Sequence, residues 1–232
     1  MASPTRYALV PTRNRPKHLH DLVSSLHKQG CDTIVIIDNG SDPPVDVDAL
    51  GALGPALVSV TVVPLQPPHL YRMWNVGLDL IGSLQDAHDR GAYDVAVLND
   101  DAQLPVGWFD YVASNLRQAP VQPMPVIACS DPYGHLNAPL FKREPDGNLS
   151  TRMCPWAFVM RGETNLRADE RFHWWWGDTD LDWQACQAGG VLLLPGYTTQ
   201  NTLANSTTHG ELAHQAGLDG QMFSAKWGRR PW

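Results

Sequence analysis

The chain of 232 residues, 43% of them hydrophobic, is long enough to bury one sizeable core, and its formal net charge of −7 argues against a broad nucleic-acid-binding surface. No apolar run approaches the roughly 20 residues that span a bilayer, and the first residues lack the apolar core of a signal peptide. The four cysteines are widely separated and include no C-x-x-C pair, so they indicate neither a zinc site nor a disulfide framework. We therefore expect a single cytoplasmic domain without a membrane partner.

The first half of the chain alternates predicted strands with predicted helices. Leucine and valine recur at helical spacing within "PKHLHDLVSSLHKQG", which predicts a helix over 16–30, and a second helix is predicted over 70–88. Strands are predicted for the segments 6–12, 32–38, 57–65 and 93–100. Because strands that alternate with helices form parallel sheets, the pattern predicts an α/β fold with a mainly parallel, Rossmann-like sheet flanked by helices.

The second half is less regular. A proline-rich connection, "QAPVQPMP", joins it to the first half without a clear domain boundary, so a single domain over 1–232 is expected. The basic and aromatic end, "KWGRRPW", could contact a phosphate or form a solvated tail, and the solvated tail is favoured. The predicted elements are strands over 125–131, 154–162 and 191–197 and a helix over 176–190.

Polar clusters follow three of the predicted strands. They are Pro11–Thr12–Arg13, Asp38 and Asn99–Asp100–Asp101, and in open parallel sheets ligands bind beyond the carboxyl ends of the strands. Neither G-x-G-x-x-G nor G-x-x-x-x-G-K-[ST] is present, so the usual glycine-rich phosphate loops are excluded. Nucleotide binding would then depend on carboxylates with a divalent ion, and the hard oxygen ligands of an aspartate pair suit Mg²⁺ or Mn²⁺.

Six segments together carry a family resemblance. "ALVPTRNRPKHLHDLVSSL", "IVIIDNGSD", "YRMWNVGLDL", "VAVLNDDAQLPVGW", "ADERFHWWWGDTDLDWQACQAGG" and "TTHG" occur in the order of the blocks of nucleotide-sugar-dependent glycosyltransferases of family 2. Each block alone is weakly specific, but together they cover about residues 6–210 and resemble this family and its GT-A fold. The resemblance implies a nucleotide-sugar-binding half, 1–117, and an acceptor-binding half, 118–232.

The resemblance also implies donor-binding roles. Pro11, Thr12 and Arg13 should line the nucleotide pocket, and Asp38 should accept a hydrogen bond from the base, although it can also cap the Asn-Gly turn that follows. The remaining donor-side residues that the resemblance implies are Arg72 and Asn75, with Arg72 meeting the diphosphate, and Asp100, near the ribose or the sugar.

Metal-binding and catalytic roles follow in the same way. Asp101 and His209 would hold Mn²⁺ or Mg²⁺, although a histidine such as His209 is equally often an ordinary surface or core residue. Asp178 matches the general base, which would remove the proton of an attacking hydroxyl with inversion at the anomeric carbon; helix capping is its alternative role. The sequence departs from the family at Arg13, Asn99 and Gly177, where an aromatic residue, Asp and Glu are common.

The run "HWWW" is the most unusual composition of the chain. Trp174, Trp175 and Trp176 cannot all face a core in a strand, so an exposed ring beside the expected base would offer a stacking platform for the acceptor, which Trp156 can join. The acceptor would be a glycan, a protein side chain or a modified nucleobase, the last disfavoured by the acidic charge. The alternatives are a non-catalytic sugar- or nucleotide-binding protein on the same fold and a nucleotidyltransferase.

Overall fold

The frame of the protein is a sheet of eight strands with helices on its faces. The computed structural model describes residues 3–87, 91–202 and 211–229, with only the backbone at 211 and 212. The strands are β1 (Thr5–Thr12), β2 (Thr33–Asp38), β3 (Leu57–Val62), β4 (Tyr93–Leu98), β5 (Ala102–Gln103), β6 (Ile127–Ser130), β7 (Leu140–Lys142), β8 (Ala157–Arg161), β9 (Val191–Leu194) and β10 (Gln200–Asn201). The helices are α1 (Pro16–His27), α2 (Val47–Gly51), α3 (Leu70–Ala87), α4 (Trp108–Gln118), α5 (Gly177–Ala188) and α6 (Glu211–Trp227), with short 3₁₀ turns at Leu149–Thr151 and Gly162–Thr164.

The first four strands of the main sheet run parallel. The sheet order is β3-β2-β1-β4-β8-β6-β9-β7, and β2 is buried along its whole length, as expected for a strand with helices on both faces. In α1, the buried side chains are Leu19, Leu22, Val23, Leu26 and His27, the first four at the helical spacing that predicted the element. The predicted α/β architecture with a mainly parallel central sheet in a single domain is therefore confirmed.

The second half extends the same sheet. Strand β8 runs antiparallel between β4 and β6, and β9 is parallel to β6. A separate two-stranded ribbon pairs β5 with β10, which brings the residues after Asp101 next to Gln200–Asn201. The two halves therefore share one continuous sheet, and the carboxyl ends of β1, β2 and β4 meet at one edge.

The last helix corrects one sequence prediction. Lys226 and Trp227 belong to α6 and are half-buried, so the interpretation as a solvated tail is wrong for these two residues, whereas Gly228 and Arg229 are exposed. Lys226 Nζ lies 2.9 Å from Oδ2 of Asp180, and Trp227 Nε1 donates to Oδ1 at 2.7 Å. A buried carboxylate of α5 therefore holds α6 in place. No described helix is long and apolar enough to cross a membrane.

Candidate active site

The carboxyl edge of the sheet is organised around Asp100. Its Oδ2 accepts a 2.8 Å hydrogen bond from Oγ1 of Thr12, at the end of β1, and Thr12 is paired in register with Asp38 at the end of β2. Pro11, one residue earlier, is buried within β1, and Arg13, one residue later, is half-buried. The three polar clusters that follow predicted strands therefore lie at the same edge of the sheet.

Arg15 joins this cluster, although no sequence pattern selected it. Its Nη1 lies 2.9 Å from Oδ1 of Asp100, so both carboxylate oxygens are engaged from β1 and the loop after it. Burial raises the pKa of Asp100, an effect that Arg15 and Thr12 oppose by stabilising the charged form. The partners lie 85 residues apart in the chain, and no local pattern marks such a pair.

A pocket of about 250 Å³ opens beside this cluster. Its polar lining includes Thr12, Arg15, Ser41, His20 and Asp46, and its apolar lining comes from α1, α2 and the residues before α2, among them Leu19, Leu50 and Pro43–Val45. A flat apolar ring flanked by a guanidinium and hydroxyl groups fits such a lining. The pocket lies at the edge where the sequence predicts nucleotide binding.

The loop after β2 is tightly bonded. Oδ1 of Asp38 accepts the backbone N–H of Ser41 at 3.0 Å and its hydroxyl at 2.5 Å, so Asp38 does cap the Asn-Gly turn that follows it. The neighbouring Asn39 donates its backbone N–H to the carbonyl oxygen of Thr12, and its Oδ1 accepts from Leu65. Its Nδ2 is buried and has no hydrogen-bond acceptor among the described residues. An amide donor is therefore available at this edge.

Asp101 is buried at the start of the ribbon. Its carbonyl oxygen accepts from the backbone N–H of Thr202 at 3.4 Å and from its hydroxyl at 3.3 Å. His209, the other expected metal ligand, lies outside the described residues. Within the described ranges, no group of three or more His, Cys, Asp or Glu side chains is placed to hold a metal ion by itself. A carboxylate of Asp101 still has the hard-oxygen chemistry of a site that is shared with substrate phosphates.

Helix α3 carries two of the expected donor-side residues and also contacts the segment that leads to Asp178. Arg72 is exposed on it, whereas Asn75 is buried and fully used: its Nδ2 donates to the carbonyl oxygen of Ala168 and to Glu170, and its Oδ1 accepts from the backbone of Ala168. Tyr71 donates its hydroxyl to the carbonyl oxygen of Trp174 at 3.1 Å. The contacts of Asn75 therefore fix the segment that leads into the aromatic run.

The aromatic run is a loop, so the argument from alternating strand faces does not apply to it. Trp174, Trp175 and Trp176 are all half-buried. The backbone N–H groups of His173, Trp174 and Trp175 all donate to Oδ2 of Asp219, at 3.2, 3.1 and 3.1 Å. Sequence reasoning missed Asp219 because it lies 44 to 46 residues further along the chain.

Asp178 lies in the first turn of α5, directly after this loop, and is half-buried. A side chain at Gly177 would collide with Tyr71, because a Cβ at this position would lie 2.4 Å from two carbons of the phenol ring. The departure from the family at Gly177 thus has a steric reason. No hydrogen bond or ion pair in the described part of the chain joins Asp178 to Asp100.

Other expected acceptor residues differ in their contacts. Trp156 donates from Nε1 to the hydroxyl of Thr199 at 3.0 Å, and Trp176 donates to the carbonyl oxygen of Ala216 and packs against Phe223. In contrast, Nε1 of Trp175 is buried and has no acceptor within the described ranges.

Asp182, on the same helix as Asp178, is buried in an ion pair with Lys142 at 2.6 Å, consistent with a structural role.

Comparison with solved structures shows what fold this is. The chain is similar to S. aureus TarS 1-349 in complex with UDP-GlcNAc, with a TM-score of 0.63, 12% identity and coverage of 95% of this chain and 71% of that one. It is also similar to glucosyl-3-phosphoglycerate synthase from Mycobacterium tuberculosis in complex with phosphoglyceric acid, with a TM-score of 0.59, 13% identity and coverage of 97% and 81%. The likeness shows a GT-A-type fold.

The likeness to the longer S. aureus TarS structure has a TM-score of 0.61 at 13% identity. It covers 93% of this chain but only 39% of that one, so the chain spans about two fifths of that structure's length. No family model matches the sequence. No curated protein matches it either.

Proposed function

We propose that the protein is a glycosyltransferase, similar to family 2, that moves a sugar from a nucleoside diphosphate donor to a hydroxyl acceptor. The observation that carries this proposal is the cluster of Thr12, Arg15 and Asp100 beside a pocket of about 250 Å³, at the carboxyl edge of a GT-A-type sheet. The solved structures that share the fold support it, since one holds UDP-GlcNAc and another is a glucosyl-3-phosphoglycerate synthase.

The proposed reaction is a single displacement. The oxygen of an acceptor hydroxyl attacks the anomeric carbon, the bond from that carbon to the diphosphate oxygen breaks, and the nucleoside diphosphate leaves with the electron pair. Asp178 takes the proton of the attacking hydroxyl, and the configuration at the anomeric carbon inverts. On the donor side, Arg72 meets the diphosphate and the pocket lined by Thr12 and Arg15 takes the nucleoside.

The donor set fits a divalent ion that is shared with the substrate. Asp101, together with His209, would hold Mn²⁺ or Mg²⁺ against the diphosphate, in the way that such ions are held by one or two protein groups plus phosphate oxygens. The ion would stabilise the negative charge of the leaving group. Asp100 has a different role, because both its oxygens already orient Thr12 and Arg15.

On the acceptor side, Trp174 and Trp175 are proposed as the platform for the incoming hydroxyl compound. Both side chains are half-buried, so part of each residue remains exposed and can stack against a sugar ring. Trp156 and Trp176 have their indole N–H groups engaged already and would support the platform by packing.

Thermal-shift screening tests the donor side. UDP, other nucleoside diphosphates and their sugars should raise the melting temperature by mass action, and Mn²⁺ should increase the shift. Asp101→Ala should keep a nucleotide shift but lose its dependence on Mn²⁺. If no nucleotide shifts the parent protein, or if Asp101→Ala responds to Mn²⁺ like the parent, the assigned donor site is wrong.

Asp178→Asn tests catalysis separately. The amide keeps the shape of the side chain but cannot accept the proton, so transfer should fall by at least about a hundredfold while nucleotide affinity is retained. A parent protein that binds nucleotide sugars but neither transfers nor hydrolyses any of them would instead be a binding protein on this fold. That result would refute the enzymatic proposal.

A further inference from the structure

The strongest unassigned feature is the carboxylate of Asp219 beneath the aromatic loop. The side chain is fully buried. One oxygen accepts the backbone N–H groups of His173, Trp174 and Trp175 within 3.2 Å, and the other accepts from Nε2 of Gln215 at 2.8 Å. A buried carboxylate needs such donors, because an ionised group without them is strongly destabilising.

These hydrogen bonds constrain the backbone conformation of residues 173 to 175. Three consecutive N–H groups can reach one oxygen only if the backbone curls around it, and hydrogen bonds to an ionised acceptor are roughly twice as strong as neutral ones. The loop has no ladder partner of its own, because residues 173 to 176 belong to no helix or strand. The N–H groups of the loop therefore depend on a charge supplied by α6, whereas the carbonyl oxygens of His173 and Trp174 accept from Leu70 and Tyr71 of α3.

The next residue shows the same dependence. Trp176 has a φ of 69°, in the left-handed region that bulky residues rarely adopt. It is held there by α6, because its Nε1 donates to the carbonyl oxygen of Ala216 at 3.2 Å and its ring packs on Phe223. Such backbone conformations persist only when the surroundings fix them. Asp178 follows two residues later, so α6 sets the direction in which the chain enters α5.

We propose that Asp219 is a positioning residue of the acceptor side. Through the backbone of residues 173 to 175 it fixes the indole rings of Trp174 and Trp175 and the placement of Asp178, without contacting the acceptor itself. This inference rests on the proposed glycosyltransferase function. It leaves the donor pocket beside Thr12 and Arg15 untouched, so it separates donor binding from turnover.

The test compares Asp219→Asn with a matched control, Asp94→Asn. Asp94 is equally buried and hydrogen-bonded, to Arg117, but lies near the start of β4, at the opposite edge of the sheet. Three quantities are measured for each: amide hydrogen exchange of the peptide that covers 172–176, the Kd of UDP, and release of UDP from UDP-GlcNAc with a panel of polyols, oligosaccharides and seryl peptides.

Asp219→Asn should accelerate exchange at 173 to 175 by at least about tenfold and lower UDP release at least about tenfold, with the Kd of UDP within about twofold of the parent. Asp94→Asn should change none of the three by more than about twofold. If Asp219→Asn does not fold, Gln215→Ala removes only the support of the other oxygen, and should accelerate exchange of the same amides by about threefold.

Three results would overturn the inference: unchanged exchange at 173 to 175, a loss of UDP affinity as large as the loss of turnover, or an equal loss of turnover in Asp94→Asn. A parent protein that neither binds UDP nor releases it from UDP-GlcNAc would contradict the proposed function for this donor. The exchange measurements would still decide whether Asp219 fixes the loop, so the two failures are distinguishable.

Discussion

Thr12, at the end of β1, and Asp100, two residues after the neighbouring parallel strand β4, are joined by a 2.8 Å hydrogen bond between their side chains. The bond links the ends of β1 and β4 at the carboxyl edge of the sheet and does not require a ligand. It also leaves Asp100 in a fixed orientation, with its second oxygen on Arg15. A site whose side chains are already held in place is preorganised. Its affinity for a nucleotide should therefore depend in part on the hydrogen bonds that hold these side chains.

Replacement of Thr12 by Val tests this preorganisation. The two side chains have similar shapes, but Val cannot donate to Asp100, so the buried carboxylate would keep only Arg15. We expect a loss of about 1–2 kcal/mol in the free energy of unfolding, measured in urea, and at least about a threefold weaker nucleotide affinity. Thr12→Ser retains the donor and serves as the control. Equal behaviour of the Val and Ser variants would contradict the assigned role of the hydrogen bond.

The contact between Lys226 and Asp180 should dominate the attachment of α6. Lys226→Met leaves the buried Asp180 without its cation, so the free energy of unfolding should fall by about 3 kcal/mol. In the double variant Asp180→Asn, Lys226→Met, the loss should be smaller than the sum of the two single losses. Urea unfolding followed by tryptophan fluorescence measures all three. Strict additivity would show that the two side chains do not interact energetically.

Gly177 should tolerate no side chain. In Gly177→Ala the new methyl group would lie 2.4 Å from the ring of Tyr71, and such overpacking typically costs about 1–3 kcal/mol. Gly217→Ala is the matched control, because a Cβ at this position in α6 meets no atom within 4 Å. It should raise the melting temperature, since alanine is the better helix former. Differential scanning calorimetry of both variants checks the opposite signs.

Acid should weaken the contact between α6 and the loop before the aromatic run. Arg171, and then Lys226, hold the pKa of Asp169 well below its usual range. The unfolded chain therefore binds this proton first as the pH falls, and the stabilisation by Asp169 is complete above its ordinary pKa of 3.8 and is lost toward the depressed value.

Melting temperatures of the parent and of Asp169→Asn, measured from pH 7 to pH 3, check this dependence. The parent should be more stable at neutral pH by roughly 1 kcal/mol, and the difference should shrink below about pH 4. A constant difference between the parent and Asp169→Asn would argue against the shifted pKa.

Sequence reasoning succeeded best where a local pattern determines the structure. Apolar runs that stop at Thr12, Asp38 and Leu98 identified the strands, and parallel topology then placed their ends at one edge. Helix α6 was missed because it contains Gly217 and Gly220, and because few of its described apolar side chains are buried. Its docking depends on buried polar contacts and on the aromatic cluster around Phe223 rather than on a continuous apolar stripe.

The candidate site was predictable in part for the same reason. Asp100 was recognisable from its position after β4, but its partner Arg15 was not, because their contact joins residues 85 positions apart. Asp219 was equally hidden, since nothing near it in the chain indicates three backbone donors. The indole N–H of Trp175 and the side-chain amide of Asn39 are buried donors without an acceptor among the described residues. Such donors can be recognised only in the folded structure, because the sequence does not show which groups are buried.

The position of α6 in the chain has a consequence during synthesis. A ribosome completes every strand of the sheet and the proposed donor pocket before it makes this helix, whereas the aromatic loop acquires its carboxylate anchor only after residue 219 has emerged. If the protein is the proposed glycosyltransferase, the nascent chain would be able to bind the nucleotide before the aromatic loop is fixed. Under the proposed function, the acceptor side would therefore become ordered only after the donor side.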